Sequence, residues 1–417
     1  MLTLGNIHAT IKNNSKVAEN YFFMTALQVI STAFGILIYP YVIRKLGAES
    51  YGIFAFSTAI FMYFNSFVSF GFNLPALKRI SENKNDVVVK SSIVSAIFSS
   101  KLLLSIPAIL VYLILINTIP FFELYKALFL IILFQISAEV INPIWYFQGI
   151  EKMKVITYFQ LFSRIASVPF ILYFVQSPND LMYYAIIVTL SILLPALAIL
   201  MYMIVAEKLK LHFCSIGEIT SYFKQAFPFF GSSIAGIIKQ ESVTVIVGTI
   251  LGMREVAIYD LANKLIVLPR MLTNSINTAL FPKISNKLSV SKIKKLIRYE
   301  WYIGLASIVV IFAFSYPAIL LLGGTSMLPA FWPTVMLSVT VLVWLVVGCY
   351  ISFVFMPRNM NSYVVKNQIV ALIAFIAIVI PALSISQTVF SVTLALALSG
   401  IAEMLYCNIV IQKHKLL

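Results

Sequence analysis

The segment that decides the fold runs Asp260-Leu261-Ala262-Asn263-Lys264-Leu265-Ile266-Val267-Leu268-Pro269-Arg270-Met271-Leu272-Thr273-Asn274-Ser275-Ile276-Asn277. Asp260, Asn263, Arg270, Asn274 and Asn277 recur at steps of three, seven, four and three, which keep to one side of a helix. Lys264, four residues after Asp260, joins that broad face. The opposite face carries Ile258, Leu261, Leu265, Leu268, Leu272 and Ile276. A long apolar helix with one charged stripe lines something other than lipid.

The whole chain supports a membrane setting. Of its 417 residues, 61% are hydrophobic and 11% charged, whereas a soluble domain is about half apolar and about a quarter charged. Thirty Lys and Arg against 15 Asp and Glu leave a net charge of +15. In an integral membrane protein that surplus belongs to short cytoplasmic loops and not to a nucleic-acid surface. The three cysteines, Cys214, Cys349 and Cys407, are far apart, and His8, His212 and His414 fall in a terminal segment or loops. Neither set has metal-ligand or catalytic spacing, so no cofactor is expected. The chain is polar up to Asn20, and the apolar run after it reads as a first span and not as a signal peptide.

A span needs about 20 mostly apolar residues. Twelve such runs are present, near 20–43, 51–73, 91–116, 126–148, 155–175, 182–205, 225–251, 256–281, 300–322, 331–355, 363–383 and 388–411. Numbering the flanks alternately places 21 Lys and Arg on one side. The other side has four, Arg44, Lys45, Lys126 and Arg254. By the positive-inside rule both termini are then cytoplasmic. The expected organisation is an all-α integral membrane protein with an N-terminal six-helix lobe (1–208), a basic cytoplasmic linker (209–224) and a C-terminal six-helix lobe (225–417).

The lobes carry traces of a repeat. Leu46-Gly47-Ala48-Glu49-Ser50-Tyr51-Gly52-Ile53-Phe54 resembles Leu251-Gly252-Met253-Arg254-Glu255-Val256-Ala257-Ile258-Tyr259. Each copy lies between the first and second spans of its half. Lys78-Arg79-Ile80-Ser81 and Pro282-Lys283-Ile284-Ser285 close the two second spans. Six spans per half is an even number, so the repeats run parallel through the membrane. The second span has its own neutral stripe, Thr58, Asn65, Ser69 and Asn73, which suits either a shared cavity or ordinary helix–helix hydrogen bonding.

Nine charges fall inside the spans: Lys101, Glu139, Arg164, Lys239, Glu241, Asp260, Lys264, Arg270 and Glu403. A charge at the bilayer centre costs about 2.5–3.5 kcal/mol on insertion scales, so these groups must face water or pair. The bases Arg270, Lys239, Lys264, Lys101 and Arg164 are the candidates for binding an anionic cargo, with Asn263, Asn274, Asn277, Asn65 and Asn73 as polar lumen lining. The acids Glu241, Asp260, Glu139 and Glu403 are the candidates for ion coupling, with structural salt bridges as the competing reading of each. There is no GxxxxGK[ST] phosphate loop, so ATP hydrolysis by this chain is not expected.

Four stretches carry a family resemblance. They are Pro40-Tyr41-Val42-Ile43-Arg44-Lys45-Leu46-Gly47 with Tyr51-Gly52-Ile53-Phe54, then Gly71-Phe72-Asn73-Leu74, then Pro282-Lys283-Ile284-Ser285 at the end of the eighth span, and most specifically Pro143-Ile144-Trp145-Tyr146-Phe147-Gln148-Gly149 with Glu151-Lys152-Met153-Lys154. In these the chain resembles the O-antigen and polysaccharide flippases of the multidrug/oligosaccharidyl-lipid/polysaccharide exporter superfamily. Past about residue 300 only hydropathy compares. The resemblance implies two six-helix lobes in a V and alternating access. It implies a polyprenyl-diphosphate-linked oligosaccharide as cargo, moved to the outer leaflet of a bacterial inner membrane. It also implies partners in glycan assembly, a polymerase and a chain-length regulator. Two other classes stay open: a multidrug or cation exporter on the same scaffold, expected to have a more acidic lumen, and a membrane glycan polymerase, expected to have a large outer loop. A peptidoglycan-precursor flippase would have two further spans.

Overall fold

The computed structural model describes residues 4–212, 214–284, 290–358 and 360–417, without the side chains of 4–18, 21, 232–233, 268, 272–284 and 361. Every regular element among them is helical. The main helices are α1 (Leu4–Ser69), α2 (Asn73–Glu82), α3 (Val87–Thr118), α4 (Lys126–Gly149, with interruptions), α5 (Met153–Phe174) and α6 (Leu181–Ala206). The second half has α7 (Ile216–Ile246), α8 (Met253–Ile284), α9 (Val290–Gly323), α10 (Phe331–Cys349), α11 (Asn361–Ile385) and α12 (Val389–Lys413).

Nine helices among the described residues are long and apolar enough to cross a membrane, and a bent pair in Ile216–Ile250 makes one more. The apolar part of α1, Phe22–Ser69, has 48 residues, enough for two crossings at about 20 each, and its helical geometry breaks at Gly47. Helix α8, with 32 residues, is long enough for the remaining crossing, and Arg254, Glu255, Asp260, Lys264 and Arg270 lie along it. The twelve expected spans are thereby accounted for.

Local chemistry sets the helix ends. The Asp86 carboxylate accepts from the N–H groups of Val88 and Val89 at 2.9 and 3.0 Å and starts α3. Thr388 accepts from Ser391 N–H and starts α12. Both satisfy donors that a helix start leaves open. The second-span stripe is not continuous. Phe70 and Gly71 have positive φ, so α1 ends at Ser69 and Asn73 begins α2, separating Asn73 from Thr58 and Asn65.

The two repeat copies share a backbone turn. Gly47 has φ 77° and ψ 164°; Gly252 has φ 103° and ψ 170°. That region is essentially glycine-only. The copies also touch. A Cβ on Gly52 would lie 1.8 Å from the Met253 carbonyl oxygen, and one on Gly248 would lie 2.3 Å from the Phe56 ring. The similarity of sequence is therefore a similarity of conformation.

Contacts divide the chain into two compact units, Met1–Gly35 with Phe61–Ser233, and Ile36–Ile60 with Ile234–Leu417. The lobes expected from span number differ from these units at 36–60 and at 209–233. In the first unit a core gathers Phe72, Ile80, Ile97, Trp145, Tyr146, Phe147, Ile156 and Met203. The aromatic residues of the Pro143–Gly149 turn are thus packing groups, and a Cβ on Gly149 would lie 2.7 Å from Ile80. In the second unit Ile293, Val346, Cys349, Phe353, Phe355 and Cys407 form the corresponding core. Elsewhere large apolar side chains such as Phe162, Phe314, Ile373 and Ile380 are exposed, the pattern of a lipid-facing surface.

Gly52→Ala places a methyl group inside a backbone contact, and Gly47→Ala forces an L-residue into strained geometry worth about 1–3 kcal/mol. Both are expected to lower the melting temperature in detergent, whereas Gly35→Ala, with nothing within 4 Å of its added Cβ, is expected to leave it unchanged. Equal melting temperatures across the three would remove the repeat turns as the packing constraint.

Candidate functional site: a cation, aromatic and amide cavity in the second unit

Helix α8 presents two faces and not one. Residues advance by about 100° each along a helix, so Tyr259, Asn263 and Arg270 fall within about 40° of one another while Asp260 and Lys264 sit about 100° further round. The two sets have different fates, both within the second unit.

Asp260 and Lys264 are held by the first repeat copy. Lys264 Nζ bonds Asp260 Oδ2 on its own helix and donates to Tyr51 Oη at 2.9 Å. Tyr51 in turn donates to Asp260 Oδ2 at 2.7 Å. The ammonium also lies 5.3 and 5.5 Å from the ring centres of Tyr39 and Tyr51, which meet edge to face. Each charge has its opposite and the Tyr51 hydroxyl bonds both, so the triad reads as a structural clamp.

Tyr259, Asn263 and Arg270 face a cavity of about 310 Å³, within the ~300–1,000 Å³ range of small-molecule sites. Arg270 donates to Thr340 Oγ1 at 2.8 Å, and its guanidinium lies 4.8 Å from the Trp344 ring centre. Across the cavity Lys239 Nζ meets Glu403 Oε2 at 3.1 Å. The other Glu403 oxygen accepts from Asn367 at 2.8 Å and from Gln368 at 3.1 Å. Glu403 thus ties α7, α11 and α12 together. Gln240 and Gln368 complete a wall of amides, and Gly236, Gly348 and Gly400 keep the space open.

This arrangement can do one thing well. Aromatic faces and amides suit the apolar faces and hydroxyls of sugars, and the guanidinium suits a phosphate or carboxylate. Nothing in it resembles a nucleophile–base pair.

The other expected residues lie elsewhere. In the first unit Lys101 is buried and pairs with Glu139 at 2.8 Å, also donating to the Glu139 carbonyl. Arg164 lies 5.9 Å from the Phe34 ring centre. Asn65 is half-buried and Asn73 exposed. The side chains of Asn274 and Asn277, and residue Ser285 of the repeat, lie outside the described residues. Glu241 is half-buried and in no ion pair among the described residues. Of the nine intramembrane charges, six therefore fall into three ion pairs.

Sequence reasoning missed Tyr259, Thr340, Trp344, Gln240, Asn367 and Gln368. Asn367-Gln368 carried a usable signal, two adjacent amides in an apolar run. Trp344 and Thr340 carried none, because an aromatic or hydroxyl side chain inside a span is ordinary.

Removing one partner of a buried ion pair costs about 3–5 kcal/mol, because the other charge is left without compensation. Glu403→Ala is expected to lower the melting temperature sharply, and the Lys239→Met/Glu403→Met double variant to recover most of it. Additive losses in the double variant would show that the two side chains do not interact.

The description "Polysaccharide biosynthesis protein" belongs to a family that matches residues 17–288. A relative from Escherichia coli (strain K12), provisionally named an O-antigen transporter, is 27% identical over 320 residues, 75% of each chain. One from Shigella dysenteriae, with the same provisional name, is 23% identical over 64% of this chain and 67% of its own. Among solved structures, the lipid II flippase MurJ in an inward closed conformation aligns with a TM-score of 0.71 at 15% identity, covering 94% of this chain and 87% of its own. An inward-facing multidrug-resistance MATE transporter of the MOP superfamily aligns with a TM-score of 0.68 at 15% identity, covering 93% and 95%. The fold is thus shared with flippases and exporters alike, and by sequence the chain belongs to the polysaccharide biosynthesis protein family.

Proposed function

We propose that this protein flips a lipid-linked oligosaccharide across the membrane by alternating access. The observation that carries the reading is the cavity around Arg270, with a guanidinium, two aromatic rings and a wall of amides among apolar spans. Family membership and O-antigen transporter relatives support it. A sugar diphosphate cannot cross about 30 Å of hydrocarbon without a polar path. The lipid tail needs no such path and stays in the bilayer.

In this reading Arg270 contacts the anionic part of the cargo, while Tyr259, Trp344, Asn263 and the glutamines contact sugar. Lys239 is committed to Glu403 at rest and is neutralised by it. Lys101, Arg164 and Lys264 hold their own units together through Glu139, Phe34 and the Tyr51–Asp260 clamp. Glu139, Asp260 and Glu403 stand in ion pairs, so Glu241 is the acid proposed to exchange a coupling ion. The two six-span lobes are the proposed moving bodies. The proposed setting is a bacterial inner membrane with both termini cytoplasmic, next to a glycan polymerase and a chain-length regulator.

Arg270→Ala is expected to reduce surface glycan at least about tenfold at normal protein level, the loss of one charge-assisted contact. A membrane-impermeant probe on intact and inverted vesicles should find single repeat units held on the cytoplasmic leaflet. Full glycan in that variant removes Arg270 from the site. Single units exposed outside but unpolymerised would establish the polymerase reading instead, and unchanged glycan with altered dye retention the exporter reading.

Orientation has its own test in Cys214, which lies between α6 and α7 while Cys349 and Cys407 are buried. Burial and the neighbouring Glu218 carboxylate push the Cys214 thiol above its usual range. Because only the thiolate reacts, labelling should be slow at pH 7 and quicken as pH rises. An impermeant maleimide is expected to label Cys214 in inverted vesicles and not in intact cells. Labelling in intact cells would reverse the assigned orientation.

A further inference from the structure

The first unit holds a cavity of its own, about 560 Å³ in volume, at the end of its spans where the lysine-rich flanks collect. Lys84, Lys90, Lys152 and Lys154 line it, with Glu151 and Glu207 between them and Glu19 beside them. Four separate chain segments supply these groups: the turn after α2, the first turn of α3, the turn into α5 and the end of α6. Asn20 joins from α1, its Oδ1 accepting from Met153 N–H at 3.0 Å. Glu151 has a φ of 59°, an uncommon conformation for a residue with a side chain.

The charges do not cancel locally. Lys84 is matched by Glu151 at 2.5 Å. Glu207 serves two ammonium groups, Lys152 at 2.5 Å and Lys90 at 4.0 Å. Lys90 is 5% exposed, so its charge is largely removed from water while it shares a carboxylate at long range. Such a charge calls for a further counter-ion. Lys154 is in no ion pair among the described residues and lies beside the Phe23 and Tyr158 rings. The first residues of α5, Met153 to Val155, also line the cavity, adding the positive end of a 22-residue helix.

We propose that this pocket binds a phosphate-bearing lipid head group. Several lysines acting as point charges around a helix start, one in excess of the glutamates, suit an anion with many oxygens. Phe23, Ile150 and Met153 supply an apolar wall for the first carbons of a lipid chain. The ligand is either the diphosphate of the cargo lipid or the phosphate of a bilayer phospholipid. Assigning it to the cargo, as a loading station on the basic side, rests on the flippase reading; the phosphate site itself does not.

The test uses the full chain in phosphatidylcholine nanodiscs, with farnesyl diphosphate as the probe and calorimetry as the readout. Binding is expected, with displacement by inorganic pyrophosphate and none by farnesol. Lys154→Glu, a change at an exposed position, should weaken binding about tenfold, and Lys90→Gln/Lys154→Gln at least as much. A photoactivatable prenyl diphosphate should crosslink to the peptide 150–158. Unchanged affinity in Lys154→Glu, or crosslinks confined to the second unit, would overturn the proposal. Displacement of the probe by phosphatidylglycerol in the disc would identify a bilayer phospholipid as occupant, and retention the diphosphate lipid; either outcome supports the pocket. If binding behaves as expected while cells lacking the chain still flip repeat units normally, the flippase reading fails and the pocket stands.

Discussion

A charge placed in hydrocarbon must be paired, hydrated or moved to the interface, and the arrangement of this protein follows from how that demand is met. Lys101 with Glu139, Lys239 with Glu403, and Lys264 with Asp260 remove six of the nine intramembrane charges. The Asp260 and Glu403 carboxylates draw in further donors, and Lys101 bonds both the carboxylate and the carbonyl of Glu139. Of the other three, Arg164 and Arg270 lie beside aromatic rings and Glu241 is half-buried. A guanidinium is weakly hydrated and tolerates an aromatic neighbour, so it can wait in a part-dry cavity at lower cost than an ammonium.

The pairing also explains why α8 can carry Asp260, Lys264 and Arg270 within its length and still be a span. Its Asp260–Lys264 face is neutralised against Tyr51 and Tyr39, and its Asn263–Arg270 face looks into the cavity. The clamp joins the two repeat copies directly, since Tyr51 belongs to one and Asp260 follows the other. The glycine turns at Gly47 and Gly252, and the close approach of Gly52 to Met253, make that junction possible. Packing at the repeat turns and polarity in the cavity are thus neighbouring consequences of one helix.

The family motif around Pro143–Gly149 has a structural and a chemical side. Trp145, Tyr146 and Phe147 are core residues, which explains why a turn can identify a family without naming its cargo. The lysines and glutamates that follow the motif surround the first unit's cavity. A turn that packs this tightly holds those charges in fixed positions.

The sequence by itself determined the membrane class, the number of spans, the charge asymmetry of the loops and the existence of a polar stripe on α8. All of these are local properties, set by runs of about 20 residues and by helical periodicity. The shared turn was also legible, because glycine at a positive φ leaves a mark in both copies. Which charges meet between different helices was not legible. Lys239 and Glu403 are 164 residues apart, and Tyr51 and Asp260 are 209 apart. Only helix packing brings them together. The sorting of Arg270 into a cavity and of Lys264 into a clamp, though they share a stripe, was decided by the neighbours each face met. Tertiary structure decided it because the cost of burying a charge depends on its surroundings and not on its position in the chain.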